Sequence, residues 1–550
     1  MRRCRGGAES DEPIAQELLD RPTLADNVDV HPPAAEDQPW VVARGEREYI
    51  RVGKDLGRLL KELDGRSGHQ ELAERLGEPW TPTVVSEVVG DLHEKGLIED
   101  GSDRRHSGRW VKYVPPLTIQ FTLLRPQRLL AAVAPLIRLA AGRTALTLAA
   151  IVGIAGIVAL LAQGPEIGDA LSTPLAPVVY LAVVAGFLLS TILHEMAHGA
   201  ALVRYGGRPS RIGIMLFYLS PAFFCDVSDA WRLPYGWQRV RIALAGIGMQ
   251  TFIACLAAIA ALAGGFSDDV RHGLLLFAVV AIVASVLNLI PLIKLDGYIA
   301  LMSWLDVPHL RDRSMTDARR VLGRALFGGR YRRELPDLRW APLYGLACML
   351  FPVFVVLQAL ALWVDLFSRM GIVGATLLLC GFGYLAYALG RGVLRVAREA
   401  LAAQAPRWRV GAVVAALGAI VVVALVAVSV PYRVAGGYVA RDGETALVVP
   451  REGETDIPVG SDVRLASNGP VLNTPAGSAT TTSSEGTEAQ APLAALVPIR
   501  LGDDFKTPVM RYPLRVEERP EERTGTASVD LGHRPLGEWL YRTYVAPAIG

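Results

Sequence analysis

The sequence predicts a polytopic α-helical membrane protein of about seven spans. A small winged-helix-like α+β domain precedes the spans, and a small β-rich domain follows them. Three observations carry this reading. Apolar stretches recur between residues 144 and 430, each near the ~20 residues that cross a bilayer as a helix. The loops joining them alternate in arginine content. Both ends of the chain lose the apolar runs and take on the patterning of folded, water-facing domains. The 550 residues are 51% hydrophobic with a mean hydropathy of +0.31. A formal net charge of only +2 names no nucleic-acid partner.

Residues 1–37 are polar and proline-containing and read as a flexible lead without the apolar core of a signal peptide. Residues 38–100 read as the winged-helix-like module. WVVARGEREYIRV alternates apolar and polar positions, which predicts a hairpin. Leu56, Leu59, Leu60 and Leu63 recur at helical spacing, and a second short helix follows in GHQELAERLG. Thr81 is placed to cap a third helix, Pro82 fits its first turn and Gly96 stops it. Residues 101–143 read as a basic connector with an interfacial helix.

The expected spans lie at roughly 144–163, 173–197, 240–264, 273–293, 341–364, 371–390 and 410–430. The loops GPEIGDALST, GGFSDDVR and DLFSRM are short and poor in Lys and Arg. The opposite side carries Arg204, Arg208, Arg211, Arg232, Arg239 and Arg241, and later nine arginines from Arg311 to Arg339. The positive-inside rule then makes this a multi-pass protein of the cell membrane, embedded in the lipid bilayer. Its N-terminus is cytoplasmic and residues 431–550 are extracytoplasmic. RIGIMLFYLSPAFFC, residues 211–225, is too short for a straight span and reads as a hairpin or re-entrant element over the site. In the C-terminal part, strand-like segments flank PAGSATTTSSEGTEAQAP. This stretch, residues 475–492, is low in complexity and is expected to be a disordered linker. Cys225, Cys255, Cys348 and Cys380 sit in apolar segments without paired spacing and read as small apolar fillers.

The chemistry concentrates in STILHEMAHGA, residues 190–200, at the end of a charge-free run where polar groups are costly. His194 and His198, spaced i and i+4, share one helix face and can offer nitrogen to one metal ion. Glu195 then flanks the site as a general base, which is the H-E-x-x-H logic of zinc peptidases. A catalytic zinc takes three protein ligands and keeps one position open. Ala201 and Arg204 occupy the positions of a histidine-extended motif, and no glutamate occurs between Glu195 and Glu334. Asp268 and Asp269 fall in a far-side loop. Asp296 closes the fourth span, which returns to the side of the histidines, and is the best third ligand by topology. Asp226 and Asp229 are held in reserve. Pro291 is expected to bend the fourth span and expose backbone for an extended substrate, and Gly297 to allow a tight turn after the ligand.

Asn288, Pro291, Leu295, Asp296 and Gly297 form N-x-x-P-x-x-x-L-D-G. With HEMAH on an earlier span, this resembles the site-2 protease clan of intramembrane zinc metallopeptidases. DVSDAWRLP at residues 226–234 and KLDGY narrow the likeness to a bacterial subgroup of peptide zinc metalloproteases. The resemblance covers about residues 40–430. It implies zinc on His194, His198 and Asp296, with Asn288 at the active site holding substrate or the developing oxyanion. One departure is AGIGMQ in the third span, where such proteins often carry a proline after the glycine, so Gly246 and Gln250 are left without a role. Residues 38–100 resemble PqqD-like domains, which bind leader segments of ribosomally made peptides. The size and layout resemble the protease of daptide biosynthesis. The implied activity is zinc-dependent hydrolysis of a peptide bond in such a precursor, with the peptide docking on the N-terminal domain. The rival expectations are regulated proteolysis of a membrane-bound signalling protein and a non-catalytic peptide-export partner.

Overall fold

A computed structural model describes residues 19–25, 28–33, 39–44, 48–99, 111–114, 118–124, 132–217, 220–263, 265–368, 371–441, 444–450, 457–502 and 504–542. Most of the expected flexible lead, and much of the basic connector, lies outside these. The chain forms two compact units. One comprises residues 1–148, 191–249 and 299–306, the other residues 149–190, 250–298 and 307–550. The division falls inside four helices, Arg143–Ala162, Pro177–Arg204, Gly236–Leu262 and Asp296–Leu305.

The first unit begins with an antiparallel sheet of β1 (Val28–His31), β2 (Trp40–Arg44) and β3 (Glu48–Val52), in that order. The expected hairpin is present, with Trp40 opposite Val52 and Ala43 opposite Tyr49. Part of the expected flexible lead is folded, because β1 pairs with the free edge of β2. Helices Lys54–Glu62, His69–Leu76 and Pro82–Glu94 cover the sheet. Leu59, Leu60, Leu72 and Val85 are fully buried with Val42. Each such side chain contributes about 1.5–3 kcal/mol of hydrophobic stabilisation. Thr81 Oγ1 accepts from the Val84 N–H at 3.3 Å and Pro82 occupies the first turn, as its position predicts.

The same unit holds a four-stranded antiparallel sheet of β4 (Val111–Val114), β5 (Thr118–Leu124), β6 (Ile212–Phe217) and β7 (Ser220–Cys225). Residues 211–225 therefore form a hairpin, paired along one edge to a hairpin from the connector. The connector's strands were not anticipated, because their apolar run is short and arginines surround it. A 3₁₀ turn, Ser228–Arg232, leads into Gly236–Leu262.

The second unit is helical with a β-domain at its end. Among the described residues, five helices across the two units are long and apolar enough to cross a membrane: Arg143–Ala162, Pro177–Arg204, Gly236–Leu262, Asp268–Leu289 and Arg407–Ala427. They match five of the seven expected spans and are compatible with a membrane protein. The other two expected spans fall in helices Ala341–Ser368 and Gly371–Ala402, many of whose side chains lie outside the described residues. Leu161 is 78% exposed and Ile420 63%. Small residues bring the helices together: Ala159, Ala254, Ala258, Ala278 and Ala281 form one buried cluster. Gln163, buried there, donates to the carbonyls of Ala159 and Ala258 at 2.9 and 3.0 Å.

From residue 429 the chain forms β8 (Ser429–Arg441), β9 (Glu444–Pro450), β10 (Asp462–Ala466), β11 (Pro475–Thr481), β12 (Thr487–Pro492), β13 (Lys506–Val516) and β14 (Thr524–Pro535). The order β11-β10-β14-β8-β9-β13-β12, with β11 also paired to β13, closes a barrel around Tyr438, Tyr512 and Val529. Residues 475–492 are thus not a disordered linker. They supply β11 and β12, and the barrel's closure depends on β11. Small Ser, Thr and Ala residues hide the strand signal, while the ladder partners on β10 and β13 satisfy the backbone. Leu171 O accepts from the N–H groups of Val471 and Leu472 at 3.1 and 2.9 Å, and Arg500 pairs with Asp269 at 2.9 Å. The loops after residues 163 and 264, expected on the far side, therefore share a side with the barrel.

Candidate metal centre

Helix Pro177–Arg204 runs unbroken for 28 residues and presents His194 and His198 one turn apart. Both are buried, at 3% and 4% exposure. Their Nε2 atoms face each other at 3.1 Å, with the rings edge-on at 83°. Two nitrogens bound to one tetrahedral zinc lie about 3.3 Å apart, given bonds of about 2.0–2.1 Å. The observed pair is close to that spacing. His198 Nδ1 lies 2.7 Å from the carbonyl oxygen of Ile242. A carbonyl only accepts, so Nδ1 carries the proton and donates, leaving the Nε2 lone pair for a ligand.

Helix Gly236–Leu262 makes room for this pair at Gly246. A Cβ there would lie 2.4 Å from His198 Nε2 and 2.6 Å from His194 Nε2. The glycine left without a role by its motif is thus the residue against which the two imidazole edges rest.

Among the described residues, His194, His198 and Asp296 form the one group able to hold a metal, with ligand atoms all within 4.8 Å of one another. Two imidazole nitrogens and a carboxylate suit zinc and leave one tetrahedral position for substrate or water. Asp296 opens helix Asp296–Leu305. Its place follows from how the preceding helix ends. Asp268–Leu289 stops at Ile290, which is extended (φ −66°, ψ 119°) because it precedes Pro291. The proline ends the helix instead of bending it. Just past the helix end, Tyr344 Oη donates to Pro291 O at 2.6 Å and Arg311 Nε to Leu292 O at 3.1 Å. The chain then folds back so closely that a Cβ on Gly297 would lie 2.0 Å from Leu289 O. Only glycine allows that approach. Asn288 is half-buried, one residue before the helix ends.

Glu195 is half-buried, and its Oε2 accepts the Cys225 N–H at 2.6 Å. The end of β7 thus holds the carboxylate of the residue next to His194 in sequence. Burial, then the negative charges of Glu195 and Asp226, pushes the Cys225 thiol far above its ordinary range, so it remains a neutral filler.

Asp226 and Asp229 have structural partners instead. Asp226 Oδ1 accepts from Ser228 Oγ at 2.6 Å and from its N–H at 3.2 Å, while Arg211 faces Oδ2 at 3.8 Å. Asp229 Oδ2 accepts from the Arg208 N–H at 2.7 Å and from Arg232 at 3.2 Å. Both pin turns of the backbone. The site residues that sequence reasoning missed act through backbone atoms, the Ile242 carbonyl and the Cys225 N–H, and so leave no motif. No protein-family model, curated protein or solved structure matches the chain.

Proposed function

We propose that the protein is an intramembrane zinc metalloendopeptidase that cleaves a ribosomally made peptide precursor. The observation that carries this reading is the grouping of His194, His198 and Asp296, with Glu195, the residue after His194, anchored by the Cys225 N–H. A structural zinc site uses four protein ligands, whereas three plus an adjacent carboxylate suits hydrolysis. When bound, the metal supplies Lewis acidity that polarises the scissile carbonyl and acidifies the attacking water.

The chain's own residues do the rest. The Ile242 carbonyl fixes the His198 tautomer, and Gly246 leaves space for both rings to converge. Glu195 takes the proton as the water oxygen bonds to the carbonyl carbon. It then gives that proton to the amine nitrogen as the C–N bond breaks, leaving a carboxylic acid and a free amine. The Cys225 N–H bond keeps one carboxylate oxygen in place through both transfers.

The arginine-rich loops support a cytoplasmic N-terminus, an extracytoplasmic barrel and a site near the cytoplasmic face. The N-terminal domain supports a peptide substrate. It packs in the same unit as the histidine pair, where Arg51 of β3 bonds Asp306 at 2.8 and 2.9 Å.

The test is cleavage of precursor peptides encoded beside the gene, using full-length protein in lipid nanodiscs. Glu195→Gln is expected to lower the rate by roughly 10²–10⁴-fold while zinc stays bound. Cleavage that survives this substitution, or that ignores a chelator, would sink the proposal.

A further inference from the structure

A cavity of about 460 Å³ lies between the N-terminal sheet and the turn that follows β7, within the first unit. Its lining includes His31, Arg51, Tyr205, Trp231, Arg232 and Asp306, along with four prolines. The volume falls within the range of small-ligand sites.

Its electrostatics are uneven. Arg51 and Arg239 both bond Asp306, at 2.8 and 2.6 Å, and flank the Trp231 ring with their guanidinium carbons 6.0 and 5.2 Å from its centroid. Arg232 bonds Asp229 and the Gly206 carbonyl, while Arg241 reaches Tyr205 Oη at 3.4 Å. Of these groups, the guanidiniums of Arg51 and Arg232 and the carboxylate of Asp306 line the cavity itself, so two cations face one anion. Desolvation, then the charge of Arg232, lowers the pKa of His31, as expected where positive charge is already in excess.

We propose that this cavity binds an acidic segment of a peptide. A carboxylate would sit between Arg51 and Arg232, and an apolar neighbour against Tyr205 and Trp231. Arginine forks suit carboxylates, and aromatic walls favour a segment that mixes acidic and apolar side chains. The inference deepens the peptidase reading and rests on it for the cleavage that comes after binding. Tyr205 lies seven residues beyond His198, in the turn just past the end of the helix that carries the histidines, about 10 Å away by helical rise. An extended peptide covers that distance in about three residues. The acidic segment is therefore expected roughly three to five residues from the bond that is cut.

The experiment uses full-length protein in zwitterionic nanodiscs and a fluorescein-labelled peptide of alternating Glu and Leu, with its Gln–Leu counterpart. Fluorescence anisotropy should show the acidic peptide binding about tenfold tighter or better, the usual effect of one charge-assisted hydrogen bond. Arg232→Gln and Tyr205→Ala should each weaken it by a similar factor, whereas chelator and Glu195→Gln should leave it unchanged. Equal binding of the two peptides to the unaltered protein would overturn the proposal, whatever the variants do. So would an Arg232→Gln protein that binds as before. Displacement of the peptide by phosphatidylglycerol but not phosphatidylcholine vesicles would assign the cavity to a lipid headgroup and overturn it too. A protein that binds the acidic peptide in this way yet cleaves nothing would keep the cavity and remove the peptidase.

Discussion

Replacing Gly246 with alanine separates the metal centre from the fold. The new methyl would lie 2.4 Å from His198 Nε2, 2.6 Å from His194 Nε2 and 2.7 Å from His194 Cδ2. Ordinary carbon contacts begin near about 3.5 Å, so both ring edges must retreat by roughly 1 Å. Ring edges can move at modest cost in stability, about 1–3 kcal/mol for an overpacked site. A metal centre cannot follow, since its bond lengths are held within about 0.2 Å. His198 resists in particular, because moving its ring stretches the 2.7 Å bond to Ile242. Zinc affinity should therefore drop by at least the roughly 10–100-fold typical of losing ligand support, and cleavage should fall with it. Gly248, two residues on, is the control. A Cβ there meets nothing within 4 Å, so Gly248→Ala should keep zinc. It should also gain up to about 1 kcal/mol from helix propensity. The assay is zinc titration against a competing chelator on full-length protein, beside a thermal unfolding curve. A Gly246→Ala protein that holds zinc as tightly as the unaltered one refutes the reasoning. So does one that unfolds while its folded fraction binds zinc normally.

The other predictions concern the third ligand and the domain joint. Asp296→Ala should abolish high-affinity zinc binding, whereas Asp226→Ala should retain it and lower stability by about 1–3 kcal/mol, because Asp226 serves Ser228 and Arg211. Elemental analysis of the two purified variants distinguishes them, and zinc loss in both would return Asp226 to the ligand set. Gly297→Ala should damage the site more than Gly246→Ala damages the fold, since its Cβ would meet the Leu289 carbonyl at 2.0 Å and backbone cannot rotate away. Loss of zinc with little recovery on added metal is expected. Asp306 links pH to the joint: its hydrogen bond from Arg51 comes first among the causes that lower its pKa below 3.8. The folded value is depressed, so the link is complete at neutral pH and down to the unfolded value. It is lost as pH falls further, through the folded value. Amide exchange in residues 48–99 should rise only in that acid window, and Asp306→Asn should remove the transition.

Much of the fold was legible because one physical effect governs each long segment. An uncharged run of about 20 residues has few stable homes other than a bilayer or a deep core, so five long apolar helices could be read from composition alone. The N-terminal hairpin and three helices came from alternation, leucine spacing and the Thr81-Pro82 start. Failures came where stability is non-local. β11 and β12 are built from Pro, Ala, Gly, Ser, Thr, Glu and Gln, and no local propensity favours a strand there. They form because β10 and β13 present unpaired edges that the barrel must close. β1 escaped notice for the same reason, being short and stabilised only by β2.

The site divides along a similar line. A side chain that could ligate leaves a residue type at a spacing, so the grouping of His194, His198 and Asp296 could be named in advance. A group that only orients a ligand can be a backbone atom of any residue. Ile242 holds His198 through its carbonyl, and Cys225 holds Glu195 through its N–H. Neither side chain carries the role, so neither position announces it. Glycine is the intermediate case, because its contribution is the absence of a side chain. Gly246 and Gly297 both stand where a methyl would strike the site or the turn that supports it. A glycine inside an apolar helix costs about 1 kcal/mol relative to alanine. Its presence opposite a pair of histidines spaced to hold a metal is therefore a signal that can be sought in sequence, once the helix facing the motif has been identified.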